Sequence, residues 1–224
     1  MPISIQVEVV VAQPFAQNAL VAWRVGGTEA VVVDPGFDVP AILRVLDEHH
    51  LTLAAVLNTH GHVDHIAGNR ELLAARPGVP LWIGRNEAHL LADPEANLSA
   101  GYGLPVVSPP ADRLLADGER VEVAGMALEV REIVGHSPGS IVYICRDTDP
   151  AIVFGGDVLF AGSVGRCDFP GGSAETLVAG IRQKLFALPA STVVYPGHGP
   201  TTTVGAERLH NPYAGLGPGD GGPR

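Results

Sequence analysis

The seven residues Thr59–His65 constrain this chain most, because they read Thr-His-Gly-His-Val-Asp-His and begin one residue after the short apolar run Leu53–Leu57. We interpret the apolar run as a buried strand. Extended spacing at His60 and His62 directs both imidazoles to the same side. Entry into a helix then turns Asp64 and His65 toward a second nearby point, so that one loop can serve two neighbouring cations. The alternative is a polar, solvated loop, but so dense a histidine pattern is rare by chance.

Three further polar residues, His136, Asp157 and His198, each follow an apolar strand-like run and lie beside glycine. Strand ends are where α/β scaffolds present functional side chains, and glycine lets the backbone approach a metal or a substrate closely. Each histidine alone would be an ordinary core or surface residue. Because the chain also contains the motif Thr59–His65, we interpret all three residues as ligands. Four histidines lack this context and are expected to be structural or solvated: His49, His50, His89 and His210.

Ligand chemistry sorts the seven candidate side chains into two sites joined by one carboxylate. They are a three-nitrogen site of His60, His62 and His136, a mixed site of Asp64, His65 and His198, and a bridging Asp157. Imidazole and carboxylate ligands suit zinc, iron or manganese. We therefore expect two divalent metal ions, with zinc favoured, and no thiolate ligation by Cys145 or Cys167.

Length and charge limit what kind of protein this chain can be. The chain has 224 residues and a mean hydropathy of +0.22. A chain of this length can bury enough apolar surface to form one hydrophobic core without disulfide cross-links. We expect a single domain over residues 1–210 and a Gly/Pro-rich tail over 211–224. The net charge of −10 disfavours nucleic acid as a partner. No apolar run is long enough for a membrane span, no basic residue precedes Arg24, and two cysteines make no disulfide framework, which together indicate a cytoplasmic protein that does not bind membranes.

The order of strand-like and helix-like segments predicts an α/β fold with two sheets flanked by helices, a four-layer αββα sandwich. The predicted strands are Ile3–Val11, Ala19–Val25, Ala30–Val33, Leu53–Leu57, Pro80–Ile83, Val121–Val123, Leu128–Val134, Ile141–Cys145, Ile152–Phe154 and Thr192–Tyr195. The predicted helices are one capped by Asp38, then His65–Ala75, Asn86–Leu91 and Ser173–Phe186. Residues 93–112 are expected to be a loop, because they are rich in proline and glycine.

The motifs resemble those of the metallo-β-lactamase superfamily, and specifically its glyoxalase II-like (hydroxyacylglutathione hydrolase-like) branch. The matching segments are THGHVDH, GHSPGS around His136, GGDVLF at Asp157 and YPGHGP at His198, in the order of that family. Residues 202–207 with Asn211-Pro212 are similar to short bacterial hydrolases of this branch. Asp34 matches a position near the metals that is not usually a ligand; otherwise it is an ordinary turn aspartate.

The resemblance implies a metal-dependent hydrolase with Asp64 and Asp157 in the catalytic centre. Two cations about 3.5–4 Å apart can share a bridging water, lower its pKa toward about 7 and polarise a carbonyl. No separate general acid is evident, which favours a leaving group that departs as a thiolate. The predicted reaction is therefore hydrolysis of a small-molecule thioester, S-D-lactoylglutathione or a related acyl thioester.

Two departures from the family pattern bear on the substrate. Full-length glyoxalase II enzymes carry a C-terminal helical domain with basic groups for glutathione, and we expect this chain to lack it. Segment 165–169 replaces the usual lysine-plus-aromatic arrangement with Gly-Arg-Cys-Asp-Phe. Arg166 is a candidate clamp for a substrate carboxylate, or else the partner of Asp168 in a structural pair. Cys167 is interpreted as a small loop residue rather than a reactive thiol.

Other activities share most of the same ligands. Persulfide dioxygenases of the superfamily use one Fe(II) held by two histidines and an aspartate, and their Gly-Arg-x-Asp-Phe segment resembles residues 165–169. A lactonase or β-lactamase is less favoured, because Asp157 stands where many of those β-lactamases have cysteine. A nuclease is opposed by the net charge, and a non-catalytic metal-binding module by the complete ligand set.

Overall fold

The computed structural model of the chain describes residues 2–217. Two six-stranded sheets lie face to face, and helices cover the outer face of each. The predicted α/β class and its four-layer αββα sandwich with two mixed sheets are therefore confirmed. Among the described residues, no helix combines the length and apolar character needed to cross a membrane.

The first sheet comes from the first half of the chain, and its strands keep their chain order. They are β1 (Ile5–Ala12), β2 (Gln17–Arg24), β3 (Glu29–Val33), β4 (Thr52–Leu57), β5 (Leu81–Gly84) and β6 (Arg113–Leu115). Strands β1 to β3 pair antiparallel, and β3 to β6 pair parallel. The parallel half places the ends of β3 and β4 at one edge of the sheet.

The second sheet comes from the second half of the chain. Its strands are β7 (Arg120–Val123), β8 (Met126–Glu132), β9 (Ile141–Cys145), β10 (Ile152–Gly156), β13 (Val193–Pro196) and β14 (Thr202–Thr203), in the spatial order β14-β13-β10-β9-β8-β7. The hairpin of β11 (Leu159–Phe160) and β12 (Ser163–Val164) stands apart. Among the described strands of the second sheet, only β10 and β13 pair parallel.

Within residues 2–217, five α-helices cover the sheets. They are α1 (Val39–Glu48), α2 (Val63–Ile66), α3 (Asn69–Ala75), α4 (Ala174–Gly180) and α5 (Val204–His210). Asp38 caps α1 as predicted, because its carboxylate accepts a hydrogen bond of 3.1 Å from the Ala41 amide. Apolar residues of α1 and α3 pack on the first sheet, and those of α4 pack on the second.

The predicted helix His65–Ala75 is wrong as one continuous element. The chain forms α2 and α3 instead, with the break at Gly68. Gly68 lies so close to the carbonyl of Gly36 that a Cβ would collide with it. This close approach fixes the break, because it packs the junction of the two helices against the loop after β3.

Other segments also differ from the sequence-based prediction. Strands β6, β11, β12 and β14 are absent from it, and the predicted loop 93–112 contains a short 3₁₀ helix, Ala100–Tyr102. The segment predicted as helix Asn86–Leu91 forms a 3₁₀ helix over Arg85–Leu91, and the long helix after Ser173 changes from α4 to a π-helical turn at Ile181–Leu185. Helix α5 was not predicted at all. Beyond it, the first part of the tail packs on the protein: Ala214 is fully buried, and the Arg182 guanidinium donates to its carbonyl. The remainder of the predicted tail, residues 218–224, lies outside the described residues.

Candidate metal centre

The strand ends that carry the candidate ligands meet at one edge of the sandwich. The parallel pair β3–β4 brings Asp34 beside the loop 58–65, and the parallel pair β10–β13 brings Asp157 beside His198. Strand β8 runs in the same direction as β10, so the loop that carries His136 reaches the same edge. The Ile141 amide donates to the Thr59 carbonyl over 2.9 Å, which ties the two sheets together there.

The three predicted nitrogen ligands lie together. His136 Nε2 is 2.9 Å from His62 Nδ1 and 3.2 Å from His60 Nε2. All three side chains are buried. Three imidazole nitrogens converging on one point are a ligand set for a transition metal ion.

The three predicted ligands of the mixed site also lie together. Asp64 Oδ2 is 3.1 Å from His198 Nε2 and 3.7 Å from His65 Nε2. Their candidate ligand atoms all lie within 4.8 Å of one another. A carboxylate with two imidazoles forms a second ligand set beside the first.

Asp157 contacts both groups. Its Oδ1 is 3.3 Å from His65 Nε2, while its Oδ2 is 3.6 Å from the Nε2 atoms of both His136 and His198. Asp157 Oδ1 and His65 Nε2 are both buried without a hydrogen-bond partner. Buried polar atoms without partners are costly, and a cation coordinated by both atoms would satisfy them. The residues present therefore fit a pair of divalent ions.

The outer nitrogens of three ligand histidines are fixed by hydrogen bonds. His65 Nδ1 donates to Asp34 Oδ2 over 2.9 Å, and His136 Nδ1 donates to the Arg166 carbonyl over 2.8 Å. His60 Nδ1 lies 3.0 Å from the hydroxyl of Thr59, which itself donates to Asp34 Oδ2. Each bond leaves the opposite nitrogen free to bind a metal. Asp34 thus contacts His65 directly and His60 through Thr59, and one of its carboxylate oxygens also lies within 4.8 Å of candidate ligand atoms of both histidines.

Burial and charge shift the pKa values of the histidines in opposite directions in the two ligand groups. Burial lowers the pKa of His60, His136 and His62, in the last case to about 3, so these imidazoles stay neutral. Burial alone would also lower the pKa of His65, but the neighbouring carboxylates, chiefly that of Asp64, raise it well above its ordinary value. Metal ligands must be deprotonated, so a cation at the mixed site replaces a proton that the carboxylates otherwise hold on His65.

The pKa of Asp157 is held below its ordinary value. Burial acts to raise it, but the positive charge of His65, 3.3 Å away, outweighs that effect, with smaller contributions from His136 and His198. Asp157 is therefore ionised at neutral pH. An ionised carboxylate between two imidazole groups is the form that a bridging ligand requires.

A cavity of about 330 Å³ opens onto the ligands. Aromatic side chains from four separate segments line it and form an aromatic rim, namely Phe15, Tyr102, Phe160 and Phe169. Arg166 also lines it, and its guanidinium binds Asp168 through two hydrogen bonds of 2.7 and 3.0 Å and lies over the Phe169 ring. The structural Arg166–Asp168 pair is thus present, while a role for Arg166 in substrate binding stays a prediction.

The histidines and cysteines that the sequence analysis does not assign as ligands lie outside the centre. His49 contacts Glu8 at 2.6 Å on the surface, and His50, His89 and His210 are exposed. Cys145 is buried and Cys167 partly buried, and both are free thiols. Sequence reasoning missed the aromatic rim and a buried carboxylate, Glu87, which contacts two ligand loops. No local motif marks these residues, because only the folded chain brings them to the site.

Sequence comparison identifies the family of this chain directly. A family model described as the metallo-beta-lactamase superfamily matches residues 12–198, most of the chain. The chain belongs to this superfamily of metal-dependent hydrolases.

Individual relatives match along nearly their whole length. Hydroxyacylglutathione hydrolase GloC of Haemophilus influenzae is 32% identical over 209 residues, which cover 92% of this chain and 97% of that protein. Among solved structures, BLEG-1 B3 metallo-beta-lactamase is 37% identical with a TM-score of 0.88 and covers 93% of this chain and 99% of its own. TTHA1623, in a di-iron-bound form, is 35% identical with a TM-score of 0.80, and the match covers 92% of this chain and 99% of TTHA1623. These relatives carry different activity names, so family membership alone does not fix the substrate.

Proposed function

We propose that this chain is a thioester hydrolase of glyoxalase II type that acts on S-D-lactoylglutathione or a related acyl thioester. The observation that carries the proposal is the pair of three-ligand groups joined by Asp157 at the base of a cavity. The similarity to GloC supports the choice of thioesters, and the di-iron form of TTHA1623 supports a two-ion centre. Zinc, iron and manganese all suit these ligands.

Different residues of the chain have different roles in such a reaction. His60, His62 and His136 would hold one ion, Asp64, His65 and His198 the other, and Asp157 would bridge them. Bound divalent ions supply Lewis-acid polarisation of a carbonyl and a water of lowered pKa. The aromatic rim excludes water from the apolar part of a substrate and orients the acyl group over the ligands.

The cavity lining explains why a thiolate leaving group is favoured. Apart from the candidate metal ligands, the lining side chains with an exchangeable proton are Tyr102, Ser163 and Arg166. Tyr102 is more than half exposed, and Arg166 is engaged with Asp168. The Ser163 hydroxyl is only partly buried and donates to the carbonyl of Val164, so none of the three is placed as a buried acid beside the metal ligands. A thiolate needs no such acid, because a thiol has a pKa near 8.5, whereas an amine leaving group must be protonated.

The test is a substrate panel on protein loaded separately with zinc, iron or manganese, combined with elemental analysis. We expect metal-dependent release of free thiol from S-D-lactoylglutathione or simpler acyl thioesters, with two ions per chain. Asp157→Asn should abolish it, while the exposed His210→Ala should leave it unchanged. Failure to cleave any thioester with any of the three metals contradicts the proposal.

A mononuclear iron persulfide dioxygenase is the second candidate, favoured by the segment Gly165–Phe169. The same panel separates the two, because one iron per chain with oxygen uptake on glutathione persulfide indicates the dioxygenase. Lactones and β-lactams belong in the panel, since BLEG-1 is named a metallo-beta-lactamase. In every case the proposed partner is a small molecule rather than nucleic acid or a membrane, in keeping with the net charge of −10.

A further inference from the structure

Glu87 is a fully buried carboxylate that the proposed reaction does not use. It lies in the 3₁₀ helix Arg85–Leu91, directly after β5 of the first sheet. It is neither one of the candidate ligands nor part of the cavity lining. A buried carboxylate is costly unless it is fully hydrogen-bonded, so its contacts indicate why it is there.

Those contacts join two ligand loops from opposite sheets. Glu87 Oε2 accepts a hydrogen bond of 2.8 Å from the Gly61 amide, between His60 and His62. Glu87 Oε1 accepts bonds of 2.6 Å from the Gly139 amide and 2.7 Å from the Ser137 hydroxyl, just after His136. One side chain therefore connects the backbones that carry all three nitrogen ligands.

The donors around Glu87 require a carboxylate rather than an amide. Both oxygens face a backbone N–H, which can only donate, and Oε1 also faces the Ser137 hydroxyl. Burial raises the pKa of Glu87, and the three donors act in the opposite direction. A glutamine of the same size would point its NH₂ group at one of the two amides and lose that bond.

We propose that Glu87 is a positioning residue that sets the spacing between the His60–His62 loop and the His136 loop, and so the affinity of the three-nitrogen site for its metal. The proposal rests on the metal centre and not on the identity of the substrate. Its rival is a purely structural brace, in which Glu87 stabilises the fold but leaves metal affinity unchanged.

The chain contains a matched control for this distinction. Glu207 is also buried and also accepts three hydrogen bonds, from the Gly162 amide, the Thr202 hydroxyl and the Asn211 side-chain amide. None of its three partners lies in a loop that carries a candidate metal ligand. Glu207→Gln therefore measures how much stability and zinc affinity change when a comparable buried, hydrogen-bonded carboxylate is replaced elsewhere in the same protein.

The experiment measures zinc affinity by competition with a chromophoric chelator, and the stability of the metal-free protein by urea unfolding. We expect Glu87→Gln to weaken zinc binding about 10- to 100-fold, the usual effect of removing a group that orients metal ligands. Glu207→Gln should change it less than about twofold, even if both variants lose similar stability in the metal-free state. Equal zinc affinities in the two variants overturn the proposal. Because the readout is a chelator and not a substrate, failure of the thioesterase proposal would be recognised separately.

Ser137→Ala provides a second variant in case Glu87→Gln does not fold. It removes one of the three donors and keeps both backbone bonds to Glu87. We expect zinc affinity to fall about two- to tenfold, the factor that one hydrogen bond is worth. Unchanged affinity in folded Ser137→Ala contradicts a positioning role.

Discussion

Gly197 lies against two of the candidate metal ligands. A Cβ at this position would overlap Asp157 Oδ1 and approach His65 Cε1 to 2.7 Å. The sequence shows Gly197 only as a neighbour of His198, and the structure shows that its lack of a side chain makes room for the Asp157 carboxylate.

Gly197→Ala is therefore expected to displace Asp157 and to lower kcat/KM about 100-fold, since misplacing a reacting group by about 1 Å has an effect of that size. Steady-state kinetics and metal content check the prediction. Gly101→Ala is the control, because nothing lies within 4 Å of its added Cβ. Equal activity of the two variants would show that the centre tolerates the shift.

The seven candidate ligands could be picked out from the sequence because each is a histidine or an aspartate shortly after a strand, and five of them adjoin a glycine. The residues that support them could not. Glu87 sits in an unremarkable short helix, and Phe15 and Tyr102 reach the cavity from segments far apart in the chain. Their roles depend on tertiary contacts, which no local spacing records.

At the scale of single elements, the cap of α1 offers a direct test of local stabilisation. The Asp38 carboxylate satisfies the free Ala41 amide at the start of the helix. We expect Asp38→Ala to lower the free energy of unfolding by about 0.5–2 kcal/mol, and Asp38→Asn or Asp38→Ser to restore most of it. Urea denaturation measures both changes, and activity at saturating substrate should stay unchanged. A loss that serine and asparagine do not restore would contradict the capping role.

Strand β8 carries an ion pair whose contribution depends on pH. Burial acts to raise the pKa of Glu129, but the hydrogen bond and charge of Arg146, with a contribution from Arg131, hold that pKa below its ordinary value. The folded state thus favours the ionised form. The resulting stabilisation is present above the unfolded pKa of about 4.3 and is lost as pH falls through the lowered folded-state pKa.

Glu129→Gln is accordingly expected to lower the free energy of unfolding by about 0.2–1 kcal/mol at pH 7, a typical value for a partly exposed pair. The difference from the parent protein should shrink toward zero as the pH approaches 3. Urea unfolding curves at several pH values measure it. A difference that stays constant with pH would mean that the pair does not act through charge.

Long, strongly patterned elements could be predicted, whereas short or interrupted ones could not. The continuous apolar runs of β4 and β9 and the cap of α1 are local signals. The break at Gly68 arises from a contact with the loop after β3, which helical periodicity cannot reveal. The two-residue strands β11, β12 and β14 exist only because a partner strand lies beside them.

For the whole molecule, three apolar clusters support the fold independently of the metal centre. One lies between the sheets and one lies under the helices on each outer face. We expect chelation to abolish activity and lower the midpoint of thermal unfolding while the far-ultraviolet circular dichroism spectrum persists. At a free-metal concentration 1,000 times its Kd, each ion adds about 4 kcal/mol of stability. Loss of the spectrum at room temperature on chelation would instead make the metals a requirement for folding.

The candidate ligands are divided between the two sheets: His60 to His65 follow the first, and His136, Asp157 and His198 follow the second. Neither half of the polypeptide holds all seven of them. On the ribosome, a growing chain therefore cannot bring the full set of candidate ligands together until residue 198 has emerged and the second sheet has docked on the first.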